Sequence, residues 1–196
     1  PPETLKHINH FDMCGTWGDP IMNKDIFQIV EYIMKNSNST VLINTNGSFR
    51  NADWWWKFGL LGQKRITIMW AIEGVTQEQH SLYRQNTNLD LILENMESFT
   101  LAGGVSHIFT VTFKHNENSL YEIAEMVKDK GATDIMFVQS NRFYENSKFK
   151  FIDKSGMEKM VEKTTRDNSD FYWKTWHLND ENHMRIIHGE STKHSM

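Results

Sequence analysis

The 196-residue chain has a single cysteine, Cys14, so it forms no internal disulfide and no all-cysteine metal site of its own. That economy fits a reducing compartment, and a cytoplasmic location is the expectation. No apolar run is long enough to cross a bilayer, because Thr, Asn or charge interrupts every candidate within about ten residues. No basic excess exists either. A formal net charge of −4 gives no general drive toward nucleic acid. The opening Pro1-Pro2-Glu3-Thr4 has none of the basic, apolar or cleavage regions of a signal peptide. It also begins without Met, as a fragment or processed product would. What is abundant is ordinary globular composition: 39% hydrophobic and 23% charged, with 12% aromatic including seven Trp. Length and composition point to one domain with a full core. In the row Trp54-Trp55-Trp56, at least one indole must stay near the surface or an interface, since one helix face cannot bury three adjacent positions.

The hydrophobic period alternates between strand and helix. Residues 8–14 read as a strand leaving through the turn Gly15-Thr16-Trp17-Gly18-Asp19-Pro20. Asn23 is placed to cap a helix carrying Ile26, Phe27, Ile29, Val30 and Ile33. Residues 40–43 read as a short strand buried on both faces, closed by Asn44-Thr45-Asn46-Gly47. A helix over 52–61, a strand over 65–72 and a helix over 89–102 stopping at Gly103-Gly104 follow. Then come a strand over 107–113, a helix over 119–130 ending at Gly131, and a strand over 134–138. Strands joined by helical crossovers predict an α/β fold with a parallel sheet, open or curled toward a barrel. After Asn141 the pattern fades. Residues 153–196 are rich in charge, His, Asn and Ser, and read as a weakly structured extension or the start of a further domain.

Ligands of parallel α/β sheets bind at the carboxyl ends of the strands. Every such end here is polar: Gly18-Asp19-Pro20, Asn44-Thr45-Asn46-Gly47, Glu73-Gly74, Lys114-His115-Asn116 and Gln139-Ser140-Asn141-Arg142. Turn chemistry alone accounts for Gly, Asn and Asp at any one of them. Lys-His-Asn is less easily explained that way.

In order, Cys14-Gly15-Thr16-Trp17-Gly18-Asp19-Pro20-Ile21-Met22-Asn23, Asn44-Thr45-Asn46-Gly47-Ser48, Ala71-Ile72-Glu73-Gly74 with His80-Ser81-Leu82-Tyr83-Arg84, and Phe113-Lys114-His115-Asn116-Glu117 resemble the radical S-adenosylmethionine (SAM) superfamily. The likeness is closest to members with a C-terminal SPASM or related extension, and it covers roughly residues 8–143. It implies a partial (β/α) barrel with helices outside, in which this chain supplies the second to the sixth strand. Residues 1–143 would form the core and 144–196 a C-terminal extension. The resemblance further implies that Gly18, Asp19 and Pro20 hold the SAM amino group and that Arg84 reaches its carboxylate. Glu73 would lie near the ribose, Lys114, His115 and Asn116 would border the adenosine and substrate space, and Asn44 and Asn46 would face the barrel mouth. The family's [4Fe–4S] cluster leaves one iron free for SAM, whose cleavage releases a 5′-deoxyadenosyl radical that abstracts hydrogen from substrate.

Two departures matter. The family's CX3CX2C motif follows the first strand, upstream of everything matched here, and Cys14 cannot replace it. Cys14 reads instead as a small buried hydrophobe. Ala71 stands where many relatives carry a serine that bonds the ribose, and Asp19 is shorter by one methylene than the family's Glu. No catalytic residue is assigned. No metal ligands are assigned either, since His177, His183, His188 and His194 lack i, i+4 spacing. His80 reads as a helix-capping or surface residue. The expected partners are SAM and a peptide, protein or small metabolite, with no membrane and no nucleic acid. Two other readings stay open: a degenerate, non-catalytic barrel used for binding or scaffolding, and an unrelated α/β enzyme using Asp19, Glu73 and His115 for acid–base chemistry.

Overall fold

A computed structural model describes residues 2–143, 146–153, 155–166 and 170–189. After a short helix α1 (Pro2–Leu5), strands and helices alternate: β1 (His10–Met13), α2 (Ile26–Asn36), β2 (Thr40–Thr45), α3 (Ala52–Gly62) and β3 (Ile66–Ala71). They continue with α4 (Gln77–Ser81), α5 (Leu89–Leu101), β4 (Val105–Thr112), α6 (Leu120–Asp129) and β5 (Asp134–Gln139). The described part of the chain closes with a hairpin, β6 (Lys148–Ile152) and β7 (Glu158–Glu162), then β8 (Thr175–His177) and α7 (Glu181–His188).

Strands β1 to β5 pair in sequential order, all parallel, and β8 adds antiparallel to β5 at the far edge. Right-handed crossovers that always step in one direction put every helix on the same face of a sheet. The burial pattern follows. Val41, Ile43, Ile66, Ile68, Trp70, Ile108, Ile135 and Phe137 are buried in the main apolar core. Their alternating neighbours Leu42, Asn44, Met69, His107, Phe109 and Met136 are only half-buried. The helices thus cover one face; the other is half-buried along β2 and β3, and over β4 and β5 it carries a second, smaller apolar cluster in which Val111, Phe113 and Val138 are buried with Val161 of β7. This is the α/β fold with parallel strands and helices outside expected from the sequence, with five parallel strands and no barrel closure among the described residues.

Aromatic packing sets the layer spacing. Trp55 and Phe58 of α3 are fully buried beside Trp70 and Phe99, with Trp55 and Trp70 ring centroids 4.6 Å apart. Truncating either α3 ring to Ala costs about 3–5 kcal/mol. Gly59 lets α3 lie against α5, since a Cβ there would sit 2.7 Å from the Phe99 carbonyl. The Trp row resolves by helical spacing: Trp55 is buried and Trp56 is 42% exposed. Asn51 and Asn88 cap α3 and α5 through Oδ1, accepting from Trp54 N and Leu91 N. Gly103 (φ 99°) and Gly131 (φ 88°) follow α5 and α6 in the left-handed region.

Three local expectations are corrected. Asn23 does not cap α2; Asp25 stands at that position without a side-chain bond, and Asn23 Oδ1 accepts from Asp25 N in the preceding turn. Cys14 is exposed. Phe11 and Met13 turn toward the core, so strand alternation sends residue 14 the other way, past the end of an edge strand. The third concerns residues 153–196, whose described part is well structured. Phe171, Tyr172, Trp176 and Leu178 are buried in the same core as α3 and α5, and α7 packs on α6. These anchors come in short, aperiodic pieces, which hides them from any search for period. His194 lies outside the described residues.

Candidate functional site

The site is built at the carboxyl ends of β1 to β4. Leaving β1, the chain turns through Gly15 (φ 68°), where a Cβ would fall 2.3 Å from the Gly18 carbonyl oxygen, so only glycine fits. The turn delivers Asp19. Its Oδ1 accepts from Ile21 N at 3.0 Å, and its Oδ2 accepts from Thr45 Oγ1 and Asn46 N, both at 2.8 Å. One carboxylate thereby fastens the exit of β1 to the exit of β2. Pro20 opens the 3-10 turn that follows. Asn44 lies half-buried with its amide unengaged among the described residues, while Asn46 Oδ1 accepts from Ser48 N.

At the end of β3, Glu73 is fully buried and Arg84 donates to both its oxygens, from Nε and Nη2, each at 2.8 Å. Burial pushes the Glu73 carboxyl above the usual carboxylate range, with Arg84 pulling against it. Burial alone would pull the Arg84 guanidinium down, but Glu73 foremost, and Asp19 among the others, hold it above its ordinary value. Asp19 leaves the end of β1 and Arg84 is held at the end of β3, so both stand at the carboxyl end of the sheet. Arg84 Nη1 has no hydrogen-bond partner among the described residues, and the side chain is 27% exposed. Asp19 and Arg84 therefore present opposite charges with bonding capacity to spare.

The remaining candidates are more occupied. Asn116 is buried, accepting from Phe113 N and donating to the Glu73 and Val111 carbonyls, so it stitches the end of β4 to that of β3. Lys114 donates to Glu117 and Thr165. His115 stacks on Phe113 with centroids 5.3 Å apart, and burial holds its pKa below normal. His80 is a further correction: it is fully buried, and its Nδ1 accepts from Glu73 N. Sequence reasoning passed over Thr45, the hydroxyl that meets Asp19, and Gln79, which bridges to the His115 carbonyl and Ser119. Thr45 sat inside an Asn-Thr-Asn-Gly turn whose flanking amides drew attention from it.

The donor set fits the amino-acid end of SAM: Asp19 for an ammonium, Arg84 Nη1 for a carboxylate. Toward the ribose it is poorer, since Ala71 has no hydroxyl and both Glu73 oxygens are engaged. A [4Fe–4S] cluster does not fit this chain alone, because Cys14 is its one thiol. Among the described residues no three His, Cys, Asp or Glu converge to hold a metal ion, and no helix is long and apolar enough to cross a membrane.

No family model matches the sequence, and no curated protein matches it. Solved structures do. SuiB of Streptococcus suis, crystallised with S-adenosylmethionine, superposes with a TM-score of 0.56 at 14% identity over 66% of this chain and 29% of its own. The enzyme anSMEcpe, crystallised with AdoMet and the Kp18Cys peptide, gives 0.58 at 16% identity over 74% of this chain and 42% of its own. Both are radical SAM enzymes. The chain has a radical SAM-like fold. This radical SAM-like sheet spans less than half the length of either solved structure.

Proposed function

We propose that this chain is the core of a radical SAM enzyme that binds SAM at the carboxyl ends of β1 to β3. The observation that carries the reading is that Asp19, at the end of β1, and Arg84, held by Glu73 at the end of β3, stand at the same end of the sheet with opposite charge and unused bonding capacity. Asp19 receives the SAM ammonium and stays fixed by Thr45 and Asn46, so little reorganisation accompanies binding. Arg84, braced from behind by Glu73, offers Nη1 to the carboxylate. Asn44 sits near the end of β2, between the strands that lead to Asp19 and Glu73, and Lys114 and His115 follow β4, the end we assign to the adenosine and substrate. With a [4Fe–4S] cluster held outside this chain, bound SAM would supply the radical that modifies a peptide, protein or small metabolite. The present chain contributes grip and orientation.

Calorimetric titration with SAM tests this. One-to-one binding is expected, weakened at least about tenfold by Asp19→Asn or Arg84→Met, a loss in the range of one charge-assisted bond. Absence of binding, or binding indifferent to both variants, overturns it. Reconstitution of the chain with iron and sulfide is expected to give no stable cubane absorbance.

Ala71 and the engaged oxygens of Glu73 favour a second reading, a non-catalytic barrel retained as a binding or scaffold module. In that case SAM binds weakly or not at all, and the complete parent protein lacks cluster cysteines.

A further inference from the structure

The β6–β7 hairpin exposes a backbone edge with a definite hydrogen-bonding register. Lys163 N donates to the Ser147 carbonyl, and Asp153 N to the Met157 carbonyl. Antiparallel pairs alternate between bonded and non-bonded. In the register Lys150↔Met160 and Ile152↔Glu158, the backbone groups of Met160 and Glu158 therefore point away from β6. The Glu162 carbonyl, two residues on, shows the same direction by accepting from Lys114 N. Pairing stops there, because the chain turns back at Phe113, whose carbonyl accepts from Asn116 N and Glu117 N. The N–H and carbonyl groups of Met160 and Glu158 consequently have no partner among the described residues.

Next to that edge lies a cleft of ≈ 390 Å³ between the hairpin and residues 77–87. Leu82 and Phe151 form apolar wall, and Gln85 and Asn86 line it with side-chain amides that have no hydrogen-bond partner among the described residues. Alternating donors and acceptors in strand register complement another polypeptide backbone rather than a compact metabolite. Unengaged amides on the facing wall complement the other edge of the same backbone.

We infer that the outer edge of β7 is a strand-addition site for an extended peptide, whose backbone pairs with Met160 and Glu158 and whose alternate side chains enter the cleft. No residue of the SAM grip takes part, so the inference stands apart from the proposed function.

Met160→Pro is the discriminating variant. It removes the outward N–H yet deletes no bond to β6, because position 160 is a non-bonded pair in the hairpin. Decapeptides selected from a displayed random library on the wild-type chain are expected to bind Met160→Pro at least about tenfold more weakly, with SAM titration unchanged. Should proline disturb the hairpin, amide exchange on the wild type decides: bound peptide slows exchange at Met160 and leaves Asp153 and Lys163 as they were. Failure to enrich any peptide, equal binding to both forms, or unaltered Met160 exchange overturns the inference.

Discussion

Arg84 closes over Glu73 from the solvent side, with Nε and Nη2 each 2.8 Å from a carboxylate oxygen of a side chain that is itself fully buried. The two partners are unequal. Arg84 reaches water when released, whereas Glu73 does not. Removing one member of a buried pair strands the other, at about 3–5 kcal/mol when the stranded charge stays buried.

Arg84→Met is therefore expected to destabilise the chain by about 3 kcal/mol at neutral pH, and by less in acid, where the lone Glu73 carboxyl takes up a proton. Glu73→Gln, which leaves a guanidinium able to hydrate, is expected to cost about 1 kcal/mol. Urea unfolding at two pH values measures both.

His80 gives the fold a second acid response. Burial, with the charge of Arg84 adding to it, lowers its pKa from 6.5 to about 4. The unfolded chain binds this proton below pH 6.5, while the folded chain refuses it until about pH 4. Stability is full above 6.5 and falls by on the order of 3 kcal/mol across that window. In His80→Gln the slope between pH 6.5 and 4 is expected to flatten, as urea midpoints against pH will register.

Glu117 fastens the segment carrying Thr164 and Thr165 to the turn after β4. Burial pushes its carboxyl up, but hydrogen bonds from Lys114, Thr164 and Thr165 outweigh that and bring it from 4.5 to about 2. This depressed pKa contributes stability that is present above pH 4.5 and lost as pH falls toward 2. Glu117→Gln is expected to cost about 2 kcal/mol at neutral pH and progressively less below 4.5, seen as converging melting curves.

The parallel core was legible because its strands and helices carry clean periods: Ile66, Ile68 and Trp70 alternate, and Leu89, Ile92, Met96 and Phe99 recur at helical spacing. The polar strand ends were legible for the same reason, since each falls where a period stops. Other features depend on contacts far apart in sequence, which no local pattern reports. Asn116, expected beside the adenosine and substrate space, also makes three bonds to backbone groups, and Trp176 joins the core only because β8 pairs with β5. Cys14 was misjudged from residue type, where edge position decided the outcome.

Gly47 (φ 76°) illustrates a tight spot close to the site. A Cβ there would lie 2.7 Å from the Trp70 ring. Gly47→Ala combines left-handed backbone strain with overpacking, and a loss of about 2 kcal/mol in thermal unfolding is expected.

Amide chemical-shift mapping of the labelled chain during addition of SAM bears most directly on whether separate strand ends act as one receptor. Joint perturbation of Asp19, Asn46, Gly74 and Arg84, saturating along a common curve, is the predicted result. Silence at these amides under millimolar SAM, or shifts gathered instead around His107 and His177 at the opposite end of the sheet, would contradict the account.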